Sequence, residues 1–246
     1  MTLRSDTIIG DHTIKTFAFI FARGGSKGLP GKNTKILNGK PLIEYSINVA
    51  KEVSEIDDVF VSTDCDNIAE VALRLGAKVI ERPPELAADD SPEWLSWQHA
   101  VDYVTQKFGT FHRFVSLPTT SPLRGRQDVR AALNKIDSGS SDICISITPA
   151  NRSPYFNMVR FLPDQSVEIL NTPRTSVDRR QDSPEVFDIT TVVYATTAQF
   201  INENQSIFSG RVTAVVVPKN RAIDIDDIHD FICAEAILNS ELCNDT

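Results

Sequence analysis

The chain has 246 residues, 41% of them hydrophobic, which predicts one α/β domain, or one domain with a small appendage, and a sizeable core. Its formal net charge of -8 argues against nucleic acid as the main partner, so a polyanionic ligand would have to meet a local positive patch. The four cysteines lack metal-ligand spacing, so we expect reduced thiols in a cytoplasmic protein. The apolar runs are only as long as strands, so we expect no transmembrane helix and no signal peptide.

Strand-like apolar runs alternate with helical patterns along residues 16–147. The predicted strands lie at 16–22, 59–62, 77–80, 113–117 and 142–147, and the predicted helices at 41–53, 66–75, 93–108 and 127–136. This alternation is typical of a three-layer α/β fold, with a mostly parallel sheet covered by helices on both faces. Ligands of such sheets bind beyond the carboxyl ends of the strands.

The alternation stops after residue 148. Residues 149–187 contain five prolines and only two short strand-like pieces, at 158–162 and 167–170. A long surface loop is one interpretation, and an extended arm used in dimerisation or substrate binding is the other. The elements predicted after this segment are strands at 189–195 and 212–217 and a closing helix at 228–238.

A glycine-rich loop follows the first predicted strand and carries no acidic residue. Its cations are Arg23, Lys27, Lys32 and Lys35. Its glycines, at positions 24, 25, 28 and 31, are expected to adopt positive φ and to bring backbone N–H groups close to an anion, while the cations contact phosphate oxygens. The loop therefore predicts a triphosphate site, with a solvated basic turn as the alternative.

The spacing in this loop differs from that of two common phosphate loops. A Walker A loop has a glycine five residues before its Gly-Lys pair, where this chain has Ser26. Asn33 follows the lysine, at the position where Ser or Thr would bind magnesium. A dinucleotide fingerprint fails as well, because Ser26 and Lys27 follow the first two glycines. The spacing therefore excludes both.

Three further polar stretches follow predicted strands. The first is S-T-D at 62–64, where an N-cap of the next helix explains Asp64 about as well as a function does. The second begins with Arg82 and leads to Asp89. The third, L-P-T-T-S-P-L-R at 117–124, adds hydroxyls that can meet a polyol, whereas a plain turn explains only its prolines. Those hydroxyls belong to Thr119, Thr120 and Ser121.

The stretch I-D-I-D-D at 223–227 follows the last predicted strand. Alternate residues of an extended segment point the same way, so Asp224 and Asp226 can present two carboxylates to one Mg²⁺ bound to phosphate. Capping of the closing helix by Asp226 or Asp227 is the competing explanation. Beside the cationic loop the metal interpretation gains weight, because carboxylates hold the metal, the metal clamps phosphates and lysines meet the remaining charge.

Six motifs, in chain order, resemble those of the acylneuraminate cytidylyltransferases, the CMP-sialic acid synthetase family: A-R-G-G-S-K-G-L-P-G-K-N, S-T-D, R-P-P-E-L-A-A-D, T-S-P-L-R, R-R-Q-D-S-P and I-D-I-D. The resemblance covers nearly the whole chain after residue 16. It implies an N-terminal tail (1–15) and one Rossmann-like nucleotidyltransferase domain (16–246), in which residues 149–187 form a dimerisation and substrate arm.

The resemblance also implies an activity. Such an enzyme joins CMP from CTP to the anomeric 2-hydroxyl of a nine-carbon 2-keto sugar acid (a nonulosonic acid) and releases pyrophosphate. No covalent intermediate is needed, so catalysis rests on positioning and on stabilising the charge of the phosphate oxygens. In this family the arm reaches into the partner subunit, so we expect a homodimer with exchanged arms.

The resemblance assigns roles to individual residues. The triphosphate ligands it implies are Arg23, Lys27 and Lys32, assisted by Ser26 and Asn33. Cytosine is read by the backbone of Ala22 and by Arg82, with Asp89 in the same nucleotide-side loop. The groups expected to hold the sugar acid are Arg180 and Tyr194, together with Thr119, Thr120 and Ser121. The expected Mg²⁺ ligands are Asp224 and Asp226, and the expected catalytic residues are Arg23, Lys27 and Asp224.

Two departures from the family pattern fall on the sugar side. Pro118 replaces a glutamine that would contact the sugar, and the stretch S-P-Y-F-N at 153–157 lacks a lysine that some members carry. The reaction is therefore better supported than the identity of the acid. Two rival functions stay open: a nucleotidyltransferase for another sugar acid such as Kdo, and a catalytically silent nucleotide-binding protein, against which Lys27 and the two aspartates argue.

Overall fold

The computed structural model describes residues 14–171 and 183–240. The strands in these ranges are β1 (Thr16–Phe21), β2 (Ile36–Leu37), β3 (Lys40–Pro41), β4 (Asp58–Thr63), β5 (Lys78–Glu81), β6 (Arg113–Ser116), β7 (Ile143–Pro149), β8 (Val159–Phe161), β9 (Val167–Ile169), β10 (Phe187–Thr197) and β11 (Val212–Val216). The α-helices are α1 (Leu42–Glu52), α2 (Asp66–Arg74), α3 (Glu93–Phe108), α4 (Arg126–Asp137), α5 (Ala198–Glu203) and α6 (Ile228–Leu238).

Seven strands form one sheet in the order β11-β7-β10-β6-β1-β4-β5. Neighbouring strands pair in parallel except at β10, which is antiparallel to both β6 and β7. The predicted mostly parallel sheet is confirmed. Its order changes direction at β1, because β4 and β5 extend the sheet on one side of this strand and β6 lies on the other. Ligand crevices of such sheets open at this switch point, beyond the carboxyl ends of the strands.

Alternation along β1 divides the core between the two faces of the sheet. Ala18 and Ile20 pack with the buried residues of α1, α2 and α4. Phe17 and Phe19 point the other way and pack with those of α3 and α5. The prediction of helices on both faces is therefore confirmed.

A third apolar cluster lies beyond the edge of the sheet and gathers segments that are far apart in sequence. Its buried members are Leu29, Leu37, Leu42, Leu123, Ile225, Phe231 and Ala234. The cluster packs α6 against the loop after β1 and against the start of α1. It thereby fixes the position of two predicted functional segments, the glycine-rich loop and residues 223–227.

All the elements predicted from the sequence are present, and their ends differ by at most two residues. The pattern did not predict α5 or the short β2–β3 pair, because elements of two to six residues are too short for a periodic signal. The sequence pattern also did not predict whether β10 runs parallel or antiparallel to its neighbours. In the arm, β8 and β9 form an antiparallel pair. Among the described helices none is long and apolar enough to cross a membrane.

The aromatic side of β1 gives a direct test of this core. Phe19 is fully buried, and its ring centroid lies 4.4 Å from that of Phe114 and 5.5 Å from that of Phe60. Phe19→Ala should lower the free energy of unfolding by about 3–5 kcal/mol, because the neighbouring rings cannot refill the space. Urea unfolding at equilibrium measures the change.

Phe208→Ala is the matched control, because Phe208 is 63% exposed. This variant should stay within about 0.5 kcal/mol of the wild type. Equal losses in the two variants would contradict the assignment of Phe19 to the centre of the core.

Candidate active site

The polar stretches predicted from the sequence meet at one edge of the sheet. Each follows a parallel strand: the glycine-rich loop follows β1, S-T-D closes β4, and Arg82 follows β5. The hydroxyl-rich stretch follows β6, and residues 223–227 come after β11. We call residues 22–35 the cation loop and residues 223–227 the carboxylate segment. This edge is where a doubly wound sheet binds its ligands.

Asn33 holds the cation loop from inside. Its side chain is buried, and Nδ2 donates to the carbonyl oxygen of Arg23 at 2.9 Å. Its Oδ1 accepts from Oγ1 of Thr119 at 2.6 Å. The amide thus ties the cation loop to the stretch after β6. Contact of Asn33 or of Ser26 with a ligand stays a prediction.

The glycines of the cation loop act differently from the prediction. Only Gly31 has positive φ, at 66°; the prediction was wrong for Gly24, Gly25 and Gly28. Gly28 is required by close approach instead, because a Cβ there would lie 2.3 Å from the carbonyl oxygen of Asp226. The cation loop and the carboxylate segment therefore touch backbone to backbone.

Lys32 connects the same two segments through its side chain. Its Nζ donates to the carbonyl oxygen of Ile225 at 2.5 Å and lies 3.6 Å from Oδ1 of Asp226. The side chain is only 11% exposed. Lys35, in contrast, lies over the ring of Phe231, 5.4 Å from its centroid. Lys32 is therefore the cation that joins the cation loop to the carboxylate segment.

The other two cations converge on one carboxylate. Arg23 Nη2 lies 2.9 Å from Oδ1 of Asp89, and Lys27 Nζ lies 2.6 Å from Oδ2. Arg23 also donates to the carbonyl oxygen of Ala87 at 3.2 Å. The hydrogen bond from Lys27, together with the charges of both cations, lowers the pKa of the Asp89 carboxyl. Asp89 is thus the counter-ion of the two residues predicted to bind phosphate.

The hydrogen bonds show which of the acids cap a helix, the alternative role that the sequence left open. Asp64 does not cap α2; its Oδ1 accepts from the backbone N–H of Gly24 at 2.9 Å and so holds the cation loop. Asp227 caps α6, because Oδ1 accepts from the N–H groups of His229 and Asp230 at 2.7 and 3.1 Å. The carboxylate of Asp226 takes no part in this cap.

The carboxylate segment is anchored by the residue between its two predicted metal ligands. Ile225 is fully buried in the third cluster, and its N–H donates to the carbonyl oxygen of Thr120 at 2.8 Å. The flanking carboxylates differ in surroundings. Asp226 is 81% exposed, whereas Oδ1 of Asp224 is buried and has no hydrogen-bond partner among the described residues.

The three predicted sugar-side hydroxyls are used within the protein. Thr119 is bonded to Asn33, as described above, and the hydroxyls of Thr120 and Ser121 lie 3.0 and 2.7 Å from Oγ1 of Thr191. Thr119 and Ser121 are buried, so these side chains position the stretch after β6. Contact of these hydroxyls with a sugar stays a prediction.

Arg124, at the end of the same stretch, is fully enclosed and braces it. The side chain donates to Oγ of Ser46 at 2.7 Å and to the carbonyl oxygens of Pro118 and Thr191. Burial lowers the pKa of Arg124 to about 9. Pro118, which lacks the amide of a glutamine, contributes its carbonyl group to this bracing.

The two residues predicted to read a base, Ala22 and Arg82, lie against β4 and β5. Arg82 is buried; Nε donates to Oγ of Ser62 at 3.1 Å and Nη2 to its carbonyl oxygen at 2.8 Å. Burial lowers the pKa of Arg82. The N–H of Ala22 also donates to the carbonyl oxygen of Ser62, at 3.0 Å. The N–H of Ala22 is thus engaged within the protein, and contact of Ala22 or Arg82 with a base stays a prediction.

An aromatic wall, formed by Phe21, Trp97 and Tyr194, continues from Arg82. Phe21 lies under the guanidinium of Arg82 at 5.6 Å, and Trp97 lies 6.3 Å from Phe21 and 5.6 Å from Tyr194 between ring centroids. Burial raises the pKa of Tyr194 to about 12, with smaller contributions from Glu93 and Asp224. Tyr194 is therefore a neutral phenol at physiological pH, and its contact with a sugar acid stays a prediction.

Glu93 is an acid beside the aromatic wall that the sequence did not single out. This residue begins α3, and its Oε1 accepts from Nε1 of Trp97 at 3.3 Å. An acid in the first turn of a helix is common because the helix dipole favours it, so the sequence carried no signal that would single it out. Burial raises the pKa of the Glu93 carboxyl.

A cavity of about 300 Å³ lies beside Asp224, where β7 and β11 end. Its other lining residues include Thr148, Asn151, Asp188, Thr190 and Lys219. Nζ of Lys219 donates to Oδ1 of Asn151 across it. The sequence did not single out these other cavity-lining residues either. Arg180, the predicted carboxylate ligand, lies outside the described residues.

The chain is similar in sequence to enzymes of known name. The family model described as cytidylyltransferase matches residues 17–216. A CMP-N,N'-diacetyllegionaminic acid synthase from Campylobacter jejuni subsp. jejuni is 31% identical over 222 residues, which are 89% of this chain and 93% of that protein. An N-acylneuraminate cytidylyltransferase from Streptococcus agalactiae serotype V is 31% identical over 221 residues, 89% of this chain and 52% of that protein. The chain thus spans about half the length of the streptococcal relative.

The fold also has a solved counterpart. The structure of CMP-2-keto-3-deoxy-manno-octonic acid synthetase, complexed with CTP, matches with a TM-score of 0.66 at 17% identity. The match covers 91% of this chain and 98% of that one. At 17% sequence identity, this similarity shows a shared fold alone.

The contact of the cation loop with the carboxylate segment is tested by two glycines of one loop. Gly28→Ala should lower the free energy of unfolding by about 1–3 kcal/mol, because the new Cβ meets a backbone oxygen that cannot rotate away. Gly25→Ala is the control, since a Cβ there meets nothing within 4 Å. It should stay within about 0.5 kcal/mol of the wild type in urea unfolding. Indistinguishable variants would contradict the contact.

Proposed function

The chain belongs to the cytidylyltransferase family, and we propose that this nucleotidyltransferase transfers CMP from CTP to the anomeric 2-hydroxyl of a nine-carbon 2-keto sugar acid. The single observation that carries the proposal is the seating of the cation loop on the carboxylate segment through Gly28 and Lys32. This contact brings the cations proposed to bind phosphate close to two carboxylates at the edge of the sheet. Two relatives are named for acids of this class, N,N'-diacetyllegionaminic acid and N-acylneuraminate.

The base end of CTP fits the wall on β4 and β5. Arg82 offers N–H donors for the acceptor atoms of cytosine, and the carbonyl group of Ala22 can accept from the exocyclic amine. Both residues are fixed by Ser62, so the pair is rigid before a base arrives. Side chains that are already held rigid lose little conformational entropy when a ligand binds.

The triphosphate fits the cation loop. Arg23 and Lys27 already face a carboxylate, that of Asp89, so phosphate oxygens would compete with Asp89 for the same two cations. In the reaction the sugar hydroxyl forms a bond to the α-phosphorus while the bond to the pyrophosphate oxygen breaks. Negative charge grows on the leaving pyrophosphate, and Arg23 and Lys27 are placed to stabilise it.

The carboxylate segment fits Mg²⁺. Oδ1 of Asp224 is buried without a partner among the described residues, and Asp226 presents its carboxylate outside the helix cap. Within residues 14–171 and 183–240, no group of three acidic, histidine or cysteine side chains is arranged to hold a metal. Mg²⁺ bound to phosphate usually takes only one or two protein carboxylates. Asp224 and Asp226 would hold the ion, which supplies charge neutralisation for the phosphate oxygens.

The sugar acid fits the cavity beside Asp224. Its lining offers hydroxyl, amide, carboxylate and ammonium groups from Thr148, Asn151, Asp188 and Lys219, which suits a polyhydroxylated acid. Two further lining residues, Ile189 and Thr190, come from β10, the strand that also carries Tyr194, which we propose as a sugar ligand. The carboxylate of the sugar acid is assigned to Arg180, because an arginine fork binds a carboxylate in bidentate fashion.

The arm fits a second copy of this chain. The β8–β9 pair exposes large apolar side chains, with Phe161 at 75% and Val159 at 57% exposure. Burial of this apolar face against a partner subunit would stabilise a dimer, and the same arm carries Arg180. We therefore propose a homodimer in which each arm completes the partner's sugar site.

The proposed reaction is tested by release of pyrophosphate from CTP with a panel of nonulosonic acids and Kdo, with and without Mg²⁺. We expect release with at least one nonulosonic acid, dependent on Mg²⁺. Asp224→Asn should reduce turnover at least about a hundredfold, because a lost metal ligand removes several kcal/mol of transition-state stabilisation.

Asp102→Asn serves as the control, since this carboxylate is exposed on α3 and should leave turnover unchanged. Release with Kdo alone would assign a different acid to the site. Absence of release with every acid would overturn the proposal in favour of a protein that only binds nucleotide.

The proposed dimer is tested by sedimentation of variants at two exposed phenylalanines. Phe161→Ser should shift the protein towards a monomer, because a large apolar side chain is lost from the arm interface. Phe208→Ser changes a similarly exposed ring elsewhere and should leave the mass unchanged. A wild-type monomer, or a Phe161→Ser dimer as tight as the wild type, would contradict this role of the arm.

A further inference from the structure

Lys219 is a cation of the candidate site that has no specific task in the proposed reaction. It lies between β11 and the carboxylate segment, and it lines the cavity beside Asp224. Its Nζ donates to the amide oxygen of Asn151, which lies 68 residues earlier in the chain and lines the same cavity. The ammonium group is therefore held at the cavity by a contact with a distant part of the chain.

The backbone that carries Lys219 is fixed on both sides. Before it, the N–H of Val217 donates to the carbonyl oxygen of Ile147 at 2.7 Å. After it, the guanidinium of Arg221 donates two hydrogen bonds to the carboxylate of Asp128, at 2.9 and 3.0 Å. Asp128 is buried in the first turn of α4. The side chain of Lys219 therefore starts from a well-defined point beside the cavity.

The charges around this ammonium group are unbalanced. Two carboxylates, those of Asp188 and Asp224, line the cavity, and among the described lining residues Lys219 is the only lysine or arginine. Within residues 14–171 and 183–240, Lys219 forms no ion pair with either acid, and its hydrogen-bond partner is a neutral amide. Both carboxylates repel an anionic ligand, so an anion in this cavity needs Lys219 as its counter-ion.

The acid substrate brings such an anion to this place. In the cyclic form of a 2-keto sugar acid, the carboxylate is bonded to the anomeric carbon, which also carries the attacking 2-hydroxyl. In the proposed reaction this hydroxyl approaches the α-phosphorus beside Asp224. The carboxylate of the acid therefore cannot lie far from Asp224, and it enters the region that Lys219 lines.

A tether between two loops is the ordinary explanation for the hydrogen bond from Lys219 to Asn151. A tether needs a donor at position 219, and a neutral glutamine would supply one. It does not need a positive charge between two carboxylates. An ammonium group has three donors, so Lys219 can keep its bond to Asn151 and still donate to a ligand.

We propose that Lys219 binds the carboxylate of the sugar acid and makes the site select acids over neutral sugars. The inference rests on the proposed function, because it places the attacking hydroxyl beside Asp224. It gives the carboxylate a ligand from the same subunit as the carboxylate segment, in addition to Arg180, which the proposed dimer would bring from the partner subunit.

The test measures kcat and the KM values for CTP and for the acid in the wild type, Lys219→Gln and Lys219→Arg, with N-acetylneuraminate, N,N'-diacetyllegionaminate and pseudaminate as the acids. Lys219→Gln should raise the KM for the acid about tenfold, because a charge-assisted hydrogen bond is lost. Its kcat should change little, since the carboxylate keeps the same charge throughout the reaction. Lys219→Arg should stay close to the wild type, because it keeps the charge.

Two controls accompany these variants. Lys135→Gln removes one positive charge from an exposed position on α4 and should behave as the wild type. The 1-carboxamide of each acid, used as an inhibitor, lacks the negative charge. The wild type should bind it more weakly than the acid, and Lys219→Gln should lose about tenfold of this preference.

The outcomes separate the two levels of the proposal. If the wild type releases no pyrophosphate with any of the acids, the proposed function fails. If the wild type is active and Lys219→Gln keeps its KM for the acid and its preference over the carboxamide, the assignment of Lys219 alone is overturned. A rise in the KM for CTP instead would assign Lys219 to the triphosphate, and a loss of kcat alone would assign it to holding the loop before Asp224.

Discussion

The site depends on a nearly buried ammonium group that joins the two ends of the domain. Lys32 lies 193 residues from its acceptor, the carbonyl group of Ile225, and its side chain is 11% exposed. A charge with so little water around it needs protein partners, and the carboxylate segment supplies both an oxygen of the backbone and the carboxylate of Asp226. Gly28 allows the backbones to meet at the same place. The cation loop is therefore positioned before any ligand binds.

The remaining cations are arranged as the proposed anion site of an acidic protein requires. With a net charge of -8, the long-range field repels a triphosphate, so attraction must come from groups within a few ångströms. Arg23 and Lys27 are such groups, and without nucleotide their charges would also repel each other. Asp89 resolves this conflict by pairing with both. Because Asp89 is solvent-exposed and its partners are long side chains, this pairing is weak enough for phosphate to replace it.

The sequence predicted the sheet and the edge at which the polar stretches meet, because both depend on local patterns. Apolar alternation along β1 fixes which residues face each helical layer, and parallel strands bring their carboxyl ends to one edge. What the sequence left open depends on contacts between distant residues. Asp64 and Asp227 have the same capping chemistry, and only the position of Gly24 against Asp64 distinguishes a loop anchor from a cap. Likewise, Gly28 looked like a conformational glycine until its distance to Asp226 was known.

The proposed nucleotide and sugar halves of the site differ in how they are built, and only the nucleotide half is marked by contiguous sequence motifs. The nucleotide half stands on β1, β4 and β5, three adjacent parallel strands whose following loops carry contiguous motifs. The sugar half is bordered by β7, β10 and β11, where β10 runs antiparallel and therefore brings residues before its own end to this edge, from Asp188 opposite Thr148 to Tyr194 opposite Ser116. Its groups, such as Asp188, Tyr194 and Lys219, are therefore scattered along the chain. A cavity assembled from scattered single residues can change one group at a time without disturbing the phosphate chemistry, so variation in sugar specificity is expected on this side of the sheet.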